Sequence, residues 1–209
     1  MIVAFADPAE AFEMERQQFG APKGQWVVWT TPQCLVVPRS LANRANFEAA
    51  RTELRRAGWP IHVRSSGGSV VPLGPGIINV TLARPPSPEV ATIAMAYEHL
   101  CAPLLSWLEE LGEPGAFGAV PGSFCDGSHN VIVRGLKVAG TAQRRGRSGV
   151  LMHLSLTVNA DLEAGVEAVR KFNRALNHQE HVSAGSHLNL AEIIPCTPET
   201  VGRELLLRV

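Results

Sequence analysis

The sequence offers little that would commit it to a metal, a membrane or a nucleic acid. Its four cysteines, Cys34, Cys101, Cys125 and Cys196, are scattered and form no C-x-x-C pair. That spacing argues against a disulfide framework or a zinc site and suits reduced thiols in the cytoplasm. Nineteen Lys and Arg balance nineteen Asp and Glu, so the overall basic footprint of a nucleic-acid binder is missing. No run approaches the ~18 apolar residues of a membrane span. Met1-Ile-Val-Ala-Phe-Ala-Asp7 lacks the charged region that opens a signal peptide. His178-Gln-Glu-His181 has metal-ligand residue types but no third ligand nearby, and no metal is expected there. The expectation is a cytoplasmic protein that binds neither nucleic acid nor membrane.

What is present suits a globular chain: 209 residues, 45% hydrophobic and 18% charged, enough to bury a sizeable core. A single domain over residues 1–209 is expected, with 1–24 as a helical extension. Asp7-Pro8 reads as a cap followed by proline at the first helical position, opening a helix to Gln18. Gln25–Thr30 and Gln33–Pro38 are β-rich, and Thr31-Pro32 between them suggests a hairpin. Asn43 is a candidate cap for a helix over Arg44–Ala57. Strands are predicted over Pro60–Arg64, Ile77–Ala83, Asn130–Arg134 and Val150–Val158. Ser87 is a candidate cap for a long helix Glu89–Leu111, with Pro103 a possible kink. Asp161 and Thr197 are candidate caps for later helices, and Leu188–Ile194 reads as helical.

Three stretches carry chemistry. Gly135-Leu-Lys-Val-Ala-Gly-Thr-Ala-Gln143 sets one lysine, Lys137, beside small and β-branched residues over which another molecule can approach closely. Such a cation suits an anionic or carbonyl oxygen; it equally suits a solvated hairpin. Arg64-Ser-Ser-Gly-Gly-Ser69 frees the backbone at Gly67 and Gly68 to bend and present amides, with Arg64 able to pair with a carboxylate or phosphate. The glycine spacing fits neither a P-loop nor a dinucleotide fingerprint. Cys125, Asp126, His129 and Asn130 form the densest reactive cluster, although turn duty alone explains Asp126 and Asn130. Asn79 is a polar member of a buried strand and must find partners.

In order and spacing these pieces resemble the catalytic domain of the biotin/lipoate protein ligase superfamily, in its lipoate and octanoate branch. Arg64-Ser-Ser-Gly-Gly-Ser69 with Gly76-Ile-Ile-Asn-Val-Thr81 is similar to the family's glycine loop and following strand. Asp126–Val133 running into Gly135–Gln143 is similar to its lysine segment, and Ser186–Ile194 to a segment near the end of lipoate ligases. The resemblance implies an α/β (α+β) fold, a mixed β-sheet core with flanking helices. It implies lipoate or octanoate bound by Arg64, Ser66, Gly67, Gly68, Ser69, Asn79, Gly140, Thr141 and Ala142, with Lys137 on the acyl carbonyl. It implies an acceptor lysine on a lipoyl carrier domain, of the glycine-cleavage H protein or 2-oxoacid dehydrogenase acyltransferase type.

Two reactions fit. A ligase would use ATP and Mg2+ to make an acyl-adenylate, with Asp126 and Asn130 near the nucleotide; this is the expectation preferred from sequence. A transferase would need no nucleotide. It would take the acyl group as a thioester on a cysteine, and Cys125, twelve positions before Lys137, is the candidate. A lipoate-binding or carrier-binding module without chemistry is the third possibility.

Overall fold

Strands that are apolar along their whole length belong inside a sheet, and the chain obeys that rule. In the computed structural model, which describes residues 1–209, β6 (Ile77–Arg84) is buried from Ile77 to Ala83 and lies within a seven-stranded sheet. The order is β1 (Val3–Ala4), β2 (Gln25–Thr30), β6, β10 (Gly149–Thr157), β9 (Leu136–Gly146), β8 (Asn130–Val133) and β7 (Ala116–Gly118). Every pairing is antiparallel except β1 with β2. A second sheet holds β4 (Ile61–Arg64), β3 (Cys34–Pro38) and β5 (Val71–Leu73), in that order.

Each face of the large sheet has its own cover. One packs against α4 (Ile93–Glu110) and α6 (Pro198–Leu207), burying Val80, Leu104, Met152, Leu154, Leu156 and Val201 in the largest apolar cluster. On the small-sheet side, α3 (Phe47–Arg56) and α5 (Leu162–Ala175) bury Leu35, Leu54, Val169 and Phe172 together. Helix α1 (Pro8–Gln18) packs Ala11 against Trp29, Cys34 and Val36. Residues 1–24, read as a helical extension, thus contribute edge strand β1 as well as α1.

Local capping chemistry works at Asp7, Asp161 and Thr197. Asp7 accepts the Ala9 N–H at 2.8 Å, Asp161 the Ala164 N–H at 2.9 Å, and Thr197 forms a capping box with Thr200. Four expectations need correction. β2 and β3 are not a hairpin: the turn at Thr31-Pro32 delivers them to different sheets, because each is apolar on both faces and needs two layers of cover. Asn43 ends the short helix α2 (Arg39–Ala42), while α3 starts after Asn46. The long helix starts at Ile93, where Thr92 accepts the Met95 N–H at 3.1 Å; Ser87 precedes only a 3-10 turn at Pro88–Val90. Leu188–Ile194 contains one 3-10 turn, Leu190–Glu192, closed by a capping box between Asn189 and Glu192.

Candidate active site

The β8–β9 hairpin turns at Arg134-Gly135, both with positive φ (52° and 79°), so Leu136 already belongs to β9 and the next residue is Lys137. Its backbone is pinned by a bridge to His187, and its carbonyl accepts the Leu188 N–H at 2.9 Å. The side chain runs inward and is buried. Its ammonium donates to the Phe124 carbonyl and reaches the Cys125 carbonyl at 3.4 Å. It also lies 3.2 Å from where a Cβ on Gly140 would stand, so glycine there leaves the cation its space. Burial pushes the lysine down to about 8, against the pull of Cys125 and Asp126.

His187 holds the other side of this loop. Its Nε2 accepts the Phe124 N–H at 2.9 Å and its Nδ1 donates to the Ser183 carbonyl at 2.9 Å. Burial, and then the charge of Lys137, push it down to about 4, so the ring is neutral. Both backbone polar groups of Phe124 are therefore engaged, which fixes the residue that follows.

That residue is Cys125, at φ 51°, a left-handed conformation that costs a non-glycine residue energy and gathers at functional sites. Its sulfur accepts the Ser69 N–H at 3.2 Å and lies 3.9 Å from Arg64 Nη2. Arg64 also donates to the Ser69 carbonyl at 3.0 Å, bending the glycine loop over the thiol. Gly68 has φ 105°, and a Cβ there would fall 2.5 Å from the sulfur, so only glycine allows this approach. The other thiols differ: Cys34 and Cys101 are buried and pushed up to about 12 by desolvation.

A cavity of about 340 Å3 opens beside the lysine, lined by Trp59, Leu73, Ile77, Phe124, Thr157 and Leu162 with Lys137, Gly140, Ser155 and His187. Its size and largely apolar wall suit a small ligand with one polar end. Of the residues read from sequence, Lys137 and Gly140 line it. It runs along Val71–Ile77 rather than Gly67-Gly68, because that loop is drawn onto Cys125; Gly67 itself stands in open space. Arg64, Ser66 and Ala142 line a neighbouring basic cleft with Arg39 and Arg144.

Asn79 is buried on β6 and faces Ser155. Thr141 points to the opposite side and donates to the His129 carbonyl at 2.8 Å. Asp126 accepts the Val120 N–H at 2.7 Å; Asn130 donates to the Cys125 carbonyl at 3.1 Å and accepts the Thr141 N–H at 3.3 Å. Both side chains read as nucleotide contacts thus have internal partners that shape the Cys125 loop; Asn130 is buried, whereas Asp126 is exposed. No group of three His, Cys, Asp or Glu residues is placed to hold a metal ion, and His178 pairs with Glu180 at 3.3 Å. No helix is long and apolar enough to cross a membrane. Sequence reasoning missed His187 and Phe124; the first lay inside a quoted motif, with no local sign of its role.

A mixed sheet carries a buried lysine beside an apolar cavity, and comparison with known proteins places the family. The family described as lipoyl protein ligase A/B catalytic domain matches residues 7–205; the chain belongs to this family. Protein H16_B0148 of Cupriavidus necator is 34% identical over 86% of this chain and 78% of its own. The octanoyl-[GcvH]:protein N-octanoyltransferase of Kyrpidia tusciae is 36% identical over 69% of this chain. The chain spans about half the length of the named transferases it matches (54% here). Among solved structures, protein Ta0514 of T. acidophilum with bound lipoic acid superposes with a TM-score of 0.74 at 14% identity, over 98% of this chain and 80% of its own. That likeness shows the fold.

Proposed function

We propose that the protein is a medium-chain acyltransferase that moves octanoyl or lipoyl groups between lysines of lipoyl carrier proteins through a thioester on Cys125. One observation carries this reading: a cysteine at positive φ has its thiol between the Ser69 N–H and the Arg64 guanidinium, and it follows Phe124, which lines the apolar cavity and accepts from the buried lysine. Such strain gathers at functional sites, and an electropositive, partly exposed setting is that of a reactive thiol. The named transferase relatives act from an octanoylated GcvH, the same kind of carrier.

In the reaction, the Cys125 sulfur bonds to the acyl carbon, the carbon–nitrogen bond to the donor lysine breaks, and the thiol proton leaves with the amine. A second lysine then attacks the thioester, forming a new amide and returning the proton to sulfur. Lys137 has three N–H donors; Phe124 and Cys125 hold two, which leaves one for the acyl oxygen as its charge develops. We favour it over the ATP-driven ligase preferred from sequence because the Ser69 N–H and Arg64 give Cys125 the setting of a nucleophile.

The test is intact mass after incubation with an octanoylated carrier domain and no nucleotide. An octanoyl adduct mapping to Cys125, absent in Cys125→Ser, is expected. Acylation of an unmodified carrier by free octanoate that requires ATP and survives Cys125→Ser would establish the ligase instead.

A further inference from the structure

Alternate residues of β10 share one face, and two of them meet a carboxylate from the far end of the sequence. Ser155 Oγ is 2.9 Å from His153 Nε2, and His153 Nδ1 is 2.5 Å from Glu15 Oε1. The imidazole thus joins a hydroxyl to a carboxylate through its two nitrogens, the relation in which a serine becomes a nucleophile whatever the order along the chain. We propose that Ser155, His153 and Glu15 form a second nucleophilic centre, at which the protein hydrolyses medium-chain acyl esters and thioesters.

The centre is held on all sides. Glu15 accepts Thr81 Oγ1–H at 2.7 Å, and Thr81 accepts the Trp29 indole N–H at 2.9 Å. Trp29 also packs edge-on against the His153 ring at 5.4 Å. The side chains of His153 and Glu15 are only 16% and 11% exposed, so little water competes for their bond. A network serving only to pin α1 to the sheet would be complete with Glu15, Thr81 and Trp29. Ser155 instead places its hydroxyl on the wall of the acyl cavity.

Two neighbours complete the chemistry. Gly140 stands directly across the ladder from Ser155, and the Lys137 ammonium lies 3.2 Å from its absent Cβ, so a cation faces an acyl oxygen at Ser155. On the other side, the Ser155 hydroxyl donates to Asn79 Oδ1 at 2.8 Å while Nδ2 has no partner. Half a turn of that amide makes Asn79 the donor and frees the hydroxyl proton for His153.

Ser155 Oγ bonds to the acyl carbon and its proton moves to His153 Nε2. The carbon–sulfur bond breaks, and the departing thiolate takes that proton. Water then attacks the acyl-serine with His153 as base; the proton returns to Oγ as the carboxylic acid leaves. Thioester and water give acid and thiol. His153 touches the reacting atom and is catalytic; Glu15 acts through it and is a positioning residue.

The inference uses the acyl-transfer reading only to choose probe length, and the two fail separately. The test is an octyl fluorophosphonate on the full chain in a Cys125→Ala background, so that a thiol cannot take the label. An adduct on Ser155 is expected, lost in Ser155→Ala and formed at least about 100-fold more slowly in His153→Ala. Hydrolysis of 4-nitrophenyl octanoate should follow the same pattern. Glu15→Gln should slow labelling without changing octanoate affinity by calorimetry, a split that a purely structural carboxylate would not give. No adduct on Ser155, or equal hydrolysis with and without Ser155→Ala, overturns the proposal whatever the carrier assay shows.

Discussion

The two faces of β10 hold opposite chemistries on one strand. Val150, Met152, Leu154 and Leu156 belong to the large apolar cluster under α4 and α6. Leu151, His153, Ser155 and Thr157 look the other way, into the basic cleft and the cavity beside Lys137. A period of two makes this division possible without a break in the strand. The apolar face fixes the strand, so the polar face can border a cavity shared with Lys137 of β9 without having to hold the fold together. Substitutions on the polar face should cost activity and little stability; those on the apolar face, the reverse.

The sharpest break of that contrast is Lys137→Met, which keeps volume and removes the charge. Acyl transfer should fall at least about 100-fold, read by carrier mass. Stability should hold or rise, because lowering the lysine from 10.5 to about 8 reflects a burial cost of roughly 3 kcal/mol for the charged form. The sign follows: between about 8 and 10.5 the unfolded chain holds the extra proton, so wild-type stability rises with pH there. Lys137→Met should abolish that slope in denaturant titrations. Near-wild-type turnover would end the role given to Lys137.

On the other face, Leu154→Ala should cost about 2–5 kcal/mol, since Leu154 is 1% exposed and a cavity would remain. Urea midpoints would show it, while turnover at temperatures where the variant stays folded should match wild type within a fewfold. Activity falling in step with Lys137→Met would show that the faces are not independent.

Much of this division was legible, and the unread part has one cause. Caps at Asp7, Asp161 and Thr197, the strand at Ile77, and the Lys137 segment are local signals, each complete within a few residues. The Glu15–His153 contact spans 138 positions, and His187 meets Phe124 across 63; no window of sequence holds either pair. The division between two sheets after Thr31-Pro32 was hidden for a related reason. A short apolar run states that a strand is buried, not which partner buries it. Cys125 lay between these cases: its turn neighbours were visible, but the Ser69 amide and Gly68 reach it from a distant loop.

His187 tests the polar face by pH. Its folded value of about 4 lies below its ordinary 6.5, so the unfolded chain binds the proton first as acid is added. Stability should therefore fall from about pH 6.5 down through about 4, by up to roughly 3 kcal/mol. His187→Gln keeps an acceptor for the Phe124 N–H and cannot titrate. Urea midpoints at pH 7 and 4.5 should be closer together in this variant than in wild type. Equal losses would show that other groups carry the acid sensitivity.

The smallest effect belongs to the helix that covers the apolar face. Thr92 accepts the Met95 N–H at the start of α4, whereas Ser87 makes no such bond. Thr92→Ala should cost about 1 kcal/mol, the usual worth of a hydroxyl cap, and Ser87→Ala less than about 0.5 kcal/mol. Neither residue lines the cavity, so acyl transfer should be unchanged in both. Thermal melts of the two variants against wild type read the difference. A larger loss from Ser87→Ala would mean that the helix starts where its sequence first offers a cap. The Pro88–Val90 turn would then belong to the helix whose Leu104 packs in one cluster with Leu154.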